Sequence, residues 1–289
     1  MEEARFEPRA TFEALRGERG LEAAFTGLWC AGSTNALARP SVAIVGTRAA
    51  TPYGRRLAHE FAHGLAVAGC CIVSGLALGI DASAHEGALA AASATVGVLG
   101  GGHRCFFPRR NAELAERMIA GGGAVLSPFP PEHAAFPQQF LERNAIVAAL
   151  SDAVVVIEAP QRSGALNTAS WASGRIPVLA VPGDVDRRHV AGCLALIRDG
   201  AILARSAADV LEAMRLPQPE LALDGRPCGD VAGPLGAPLL ALLDGGECNL
   251  DALVARSGED AATVLAALAL LELEGCVERT GATRYARLR

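Results

Sequence analysis

Short, mostly apolar runs alternate along this chain with longer stretches whose apolar residues recur every three or four positions. The short runs are 41–45 (SVAIV), 70–73, 95–99, 124–126, 153–157, 178–181 and 201–203. They are rich in β-branched residues and mostly closed by Gly, Ser or Pro, which predicts strands buried on both faces. Between them, 53–68, 80–92, 112–120, 140–150, 165–173, 191–199 and 207–214 carry helical spacing. Strand and helix in strict turn predict an α/β class, with a doubly wound, Rossmann-like, mainly parallel sheet and right-handed crossovers.

The pattern changes at both ends. Residues 1–40 read as a lead segment, helical at its polar start and ending in an apolar stretch at 28–32 suited to an extra strand or a lid. Residues 41–215 form the Rossmann-like domain. Residues 216–234 carry four prolines and no period, so they read as a linker. Residues 235–289 predict three short amphipathic helices (235–243, 250–257, 260–274) and a hairpin (276–279 with 284–288) turning at Gly281. That is the make-up of a winged helix, with 260–274 in the recognition position.

Composition adds limits. A 51% hydrophobic share with 20% charged residues excludes disorder, and no run of eighteen apolar residues could cross a membrane. The polar opening MEEARFEPRA is unlike a signal peptide, so the expected compartment is the cytoplasm, with no membrane partner. The eight cysteines form no C-x-x-C pair and read as reduced, small core residues; no metal site and no cofactor are expected. All 26 basic residues are arginine. Without a lysine there is no P-loop. Residues 41–215 hold 15 Arg against 14 carboxylates, whereas 216–289 hold 6 against 11. A phosphate site must therefore be a local cluster, and the acidic C-terminal segment favours contact with protein over a grip on DNA.

Ligands of open α/β sheets bind beyond the carboxyl ends of the strands. The loops there hold Gly46-Thr47-Arg48, Ser74-Gly75 with Gly79 and Asp81, Gly100 to Arg104, and Arg162-Ser163-Gly164. Small residues with free amides and hydroxyls make an anion-binding rim, assisted by the helix that begins after each loop. The first turn is not G-x-G-x-x-G, because an arginine takes its centre. Arg104, Arg109 and Arg110 add guanidiniums, Phe140 precedes Arg143-Asn144 by one turn, and Arg187-Arg188-His189 sits in the last long loop. Arginines beside an aromatic suit single-stranded nucleic acid, which needs a stacking face and cations. Phe140 also fits a core role, Asp81 also fits a helix cap, and His85 one turn after Asp81 lacks a third partner for acid–base work. No hydrolase or metalloprotease motif occurs, so the expectation is a binding protein and not an enzyme.

Taken in order, SVAIVGTR, TPYGRR, SGLALGIDASAHEGAL, VGVLGGG with FFPRRNAEL, FLERNAIVAALSDAVVVIEA, RSGALNTA and AVPGDV with AGCLALIRDGA resemble the DNA-processing protein A (DprA/Smf) family from about residue 28 to 214, and the likeness resumes in the winged helix. The resemblance implies an extended Rossmann fold and a cytoplasmic, non-enzymatic homodimer. It further implies a protein that binds and protects incoming single-stranded DNA in natural transformation and helps load the RecA recombinase. It places the phosphate turn at Gly46, Thr47 and Arg48, a second stretch at Ser74, Gly75, Gly79 and Asp81, a base-stacking aromatic at Phe140, and polar contacts at Arg143, Asn144, Arg162, Ser163 and Gly164. Leu78, Ala145 and Leu194 stand where the family usually has arginine, arginine and asparagine. The alternative is a nucleotide-binding Rossmann protein of the same superfamily, a sensor or a nucleoside-phosphate hydrolase, although Pro182-Gly183-Asp184 does not supply the hydrolases' P-G-G-x-G-T-x-x-E run. A transcription regulator using the winged helix is a third reading.

Overall fold

The computed structural model describes residues 4–16, 25–216, 235–244, 246–273, 276–281 and 283–287. The chain divides into two units, 1–219 and 220–289. In the first, the elements run β1 (Arg5–Pro8), α1 (Arg9–Arg16), β2 (Gly27–Gly32), β3 (Ser41–Val45), α2 (Pro52–Val67), β4 (Cys71–Ser74), α3 (Ile80–Ala90), β5 (Thr95–Val98), α4 (Ala112–Ala120), β6 (Ala124–Ser127), α5 (Gln139–Ala149), β7 (Ala153–Val156), α6 (Gly164–Ala172), β8 (Val178–Ala180), α7 (Ala191–Arg198), β9 (Ile202–Leu203) and α8 (Ala207–Ala213).

The strands form one nine-stranded sheet in the order β1-β2-β6-β5-β4-β3-β7-β8-β9. From β6 to β9 every pairing is parallel, while β1 and β2 run antiparallel to their neighbours. The central strands are apolar throughout because both faces are covered. On β3, Ala43 and Val45 join the core beneath α5 and α6, while Val42 and Ile44 join the core beneath α2, α3 and α8. Burial at about 25 cal/mol per Å² on both faces leaves this strand intolerant of polar substitution.

The early residues also belong to this body. Phe12, Phe25, Leu28 and Leu37 lie in the α5–α6 core, with Phe12 edge-to-face on Phe25. β2 is the extra strand that the apolar stretch at 28–32 offered as one option.

β3 lies where the crossovers diverge: β4, β5 and β6 extend to one side of it, β7, β8 and β9 to the other. The carboxyl ends of β3 and β7 therefore part to leave a crevice between their outgoing loops.

The second unit comprises α9 (Gly236–Leu243), β10 (Cys248–Asn249), α10 (Leu250–Ser257), α11 (Ala261–Leu273), β11 (Val277–Arg279) and β12 (Arg284–Arg287), with a small sheet ordered β10-β12-β11. Leu239, Leu243, Leu253, Val264, Leu268, Leu271 and Tyr285 form its core. α11 buries one stripe and turns Leu265 and Leu270 outward.

Burial pushes the thiols of Cys30 and Cys70 up to about 11 and that of Cys193 to about 12, as inert packing groups require. Two of the described cysteines depart from the expectation: Cys276 is disulfide-bonded, a pairing that no local spacing signalled, and Cys105 is exposed and not in a core.

Candidate nucleic-acid interface

The first turn is shaped by what approaches it. Any Cβ at Gly46 would collide with Ile80 and the Glu158 carbonyl, so only glycine fits. The Thr47 N–H donates to the Glu158 carbonyl at 2.7 Å, which ties the loop after β3 to the end of β7 and leaves Arg48 exposed. Beyond it α2 begins at Pro52, with the Thr51 hydroxyl accepting from the Gly54 N–H at 3.0 Å.

The N-terminus of α2 does not await a ligand. The carboxylate of Glu158, 2% exposed, accepts from the Thr51 N–H at 2.9 Å and from the Thr51 hydroxyl. The protein's own anion fills the place that helix polarity would otherwise offer to a phosphate. Reading the first turn by its helix overlooked this. The signal was a single acid ending the apolar run AVVVIEA. The open helix terminus in the crevice is that of α6, where the Ser163 hydroxyl accepts from the Ala165 N–H at 3.3 Å and Gly164 is exposed.

Behind the rim sits a buried charge pair. Asp81 accepts from the N–H groups of Gly75 at 3.1 Å and Ala77 at 3.4 Å, so its carboxylate staples the loop before α3. The helix cap is Gly79, whose φ of +83° suits glycine. Burial raises the Asp81 pKa, opposed chiefly by the Arg143 guanidinium. Arg143, 3% exposed, donates through Nη1 to the carbonyls of Gly75 and Val98 at the ends of β4 and β5. Burial lowers its pKa to about 10, with Asp81 pulling the other way. Its Nε has no hydrogen-bond partner among the described residues. Ser74 is also inward, its hydroxyl donating to the Ile44 carbonyl at 2.6 Å. Asn144 is buried and donates to the Gly164 carbonyl at 3.0 Å, fixing α5 against the start of α6.

These residues enclose a cleft of about 470 Å³. Gly46, Thr47, Arg48, Gly75, Asp81, Phe140, Arg143, Asn144, Arg162, Ser163 and Gly164 all line it. Arg104 and Arg109 line a neighbouring cleft of about 790 Å³ that shares Arg48, Pro137 and Phe140 with the first. Ser74 and Gly79 line neither and act on the backbone instead. Phe140 is half-buried at the junction, with the Arg48 guanidinium over its ring at 5.0 Å.

Arg187 lies 3.8 Å from both Asp184 and Asp186, and His189 lies 3.8 Å from Glu158. None of Arg187, Arg188 and His189 lines either cleft. Ala145 lines a different groove, with Phe25, Phe129 and Trp171. A cation at that position would not face the clefts described here.

Fold and site together define a doubly wound α/β protein that carries an arginine-rimmed crevice at its topological switch point and a winged helix in its second unit. The family model for DNA recombination-mediator protein A matches residues 18–215, and that for the DprA winged helix domain matches residues 230–282. The chain belongs to the DNA-processing protein A (DprA/Smf) family. It is 37% identical over 270 residues to Protein Smf of Escherichia coli, spanning 91% of this chain and 71% of that one. It is similar to the X-ray structure of DprA from Streptococcus pneumoniae, with a TM-score of 0.66, 32% identity, and 73% of this chain and 74% of that chain covered. It is also similar to the Helicobacter pylori protein solved for its single-stranded DNA binding mode, with a TM-score of 0.63, 28% identity, and 74% and 96% covered.

Proposed function

We propose that this protein binds single-stranded DNA along the two joined clefts, protects it, and helps to load the RecA recombinase during natural transformation. The observation that carries the reading is the meeting of exposed Arg48 and Arg162 with Phe140 and the small residues of two loops in one crevice that continues to Arg104 and Arg109. Exposed cations suit a polyanion, and aromatic side chains among them suit unpaired bases. The single-stranded DNA binding of the Helicobacter pylori relative supports the same ligand.

In this reading the protein is a binder and not a catalyst. Asp81 is spent on two backbone N–H groups, and His85 is fully buried against Thr95. The winged helix meets protein instead of a DNA groove, because α11 has no cation and exposes Leu265 and Leu270. A homodimer in the cytoplasm completes the proposal; β9, at the edge of the sheet, leaves Ile202 and Leu203 exposed. No described helix is long and apolar enough to cross a membrane.

The test is a mobility shift of a deoxythymidine oligonucleotide and of a duplex at two salt concentrations, with the natural chain and Arg48→Ala. Preference for the single strand, weakening with salt and lost in the variant, is expected. Equal retention of both DNAs, or an unchanged variant, would sink the reading. A rise in melting temperature with micromolar mononucleotide, without DNA binding, would favour the nucleotide-binding alternative.

A further inference from the structure

The two clefts meet at Phe140, against which Phe107 of the second cleft packs, and the two rings are not equally open. Arg48 lies over Phe140, and Gly100 lies against the Cδ1–Cε1 side of the same ring, where a Cβ would come within 2.7 Å. The guanidinium thus competes with a base for the Phe140 ring. Phe107 meets Phe140 edge-on, with ring centroids 6.0 Å apart and planes at 63°, and is 54% exposed. The adjacent Phe106 borders the same cleft but is 9% exposed and packs into a core with Leu76, Leu99 and Met118. One phenylalanine of the pair therefore anchors the loop while the other is displayed.

Charge surrounds the displayed ring. Arg48, Arg104 and Arg109 line the same cleft of about 790 Å³. Arg104 is 2.7 Å from Glu132, whereas Arg109 forms no ion pair among the described residues. We infer that Phe107 is the base-stacking platform of a second nucleotide subsite, with the neighbouring phosphate held by Arg48 and Arg109. The inference rests on the proposed single-stranded DNA reading and extends it: the open π face lies in the second cleft, while Phe140 serves as the support on which Arg48 and Phe107 are set. A lone exposed phenylalanine is ordinary on a soluble protein. Here the ring is joined to a cation-lined cleft continuous with the first, and that continuity selects an unpaired base as the occupant.

The experiment is fluorescence anisotropy of the full chain with a labelled deoxythymidine oligonucleotide and with an abasic strand of equal length. Phe107→Leu, which keeps apolar bulk without a π face, is expected to weaken binding of the base-bearing strand about tenfold and to leave the abasic strand unchanged. Phe107→Tyr restores binding, and Arg48→Ala weakens both strands. If Phe107→Leu binds like the natural chain while Arg48→Ala fails on both strands, the subsite is wrong and the cleft reading stands. If Phe107→Leu loses both strands equally, stacking is overturned. If Arg48→Ala binds both normally, the cleft reading itself falls. Should Phe107→Leu melt early, Phe107→Trp replaces it: quenching by the deoxythymidine strand but not by the abasic one is expected, and no quenching overturns the inference.

Discussion

The carboxylate of Glu158 takes both the N–H and the hydroxyl of Thr51, 107 positions earlier in the chain. One side chain from the end of β7 thereby closes the first turn of α2, and Gly54 is required because a Cβ there would run into that carboxylate. Glu158→Gln keeps the shape but sets an amide against two donors. Losing a charge-assisted bond while leaving a donor unmet costs about 1.5–3 kcal/mol. Urea unfolding should show a lower midpoint at an unchanged slope; an unaltered midpoint would show the contact to be idle.

Gly79 holds the turn that carries Arg48 from below. A Cβ there would come within 2.7 Å of the Arg48 carbonyl, and the Ile80 N–H reaches the Thr47 carbonyl at 3.3 Å. Gly69 shares a positive φ, +87°, but has nothing within 4 Å. Gly69→Ala should cost about 1–2 kcal/mol from conformation alone, and Gly79→Ala distinctly more, with weaker DNA binding because the Arg48 loop must shift. Paired melting and anisotropy measurements decide this; equal stability losses would contradict the collision.

Thr95 donates its hydroxyl proton to the Ile72 carbonyl at 2.7 Å, so the 2.8 Å contact with His85 requires a proton on Nδ1 and leaves Nε2 bare. Burial pushes the His85 pKa down to about 3 from 6.5. Between those values the unfolded chain binds a proton that the folded chain refuses. Stability contributed by the neutral ring is thus whole above pH 6.5 and falls as pH drops toward 3, by about 1.4 kcal/mol per unit. His85→Leu should flatten that part of the stability profile; an equally steep profile in the variant would assign the acid sensitivity elsewhere.

Arg143 and Arg48 should respond differently to salt. If Arg48 touches phosphate, Arg48→Ala should reduce the slope of log affinity against log salt by about 0.7. Arg143→Lys should destabilise the fold, because the shorter, unforked side chain does not bring its ammonium to the place that Nη1 holds between the Gly75 and Val98 carbonyls, yet leave that slope unchanged. A reduced slope in Arg143→Lys would mean that the buried cation also meets the ligand.

The sequence disclosed the parallel strands because a strand sealed on both faces must be apolar nearly throughout, as 42–45 and 153–157 are. β1 stayed hidden because RFEP is mostly exposed and too short to show a period. The loops of the site were legible for the same reason as the strands: small residues follow each run. The depth of a side chain was not. Arg143 and Arg162 look alike in one dimension, and only the packing of α5 on the ends of β4 and β5 buries the first. Glu158 was missed because its partner is remote in sequence, and Phe107 because nothing local shows which of two adjacent phenylalanines faces solvent.

Arg162 is exposed and forms no hydrogen bond or ion pair among the described residues, although the loop that carries it leaves a strand with every side chain buried. The charge carried at this position can therefore be exchanged without disturbing the interior, which sets it apart from Arg48, whose loop rests on Gly79.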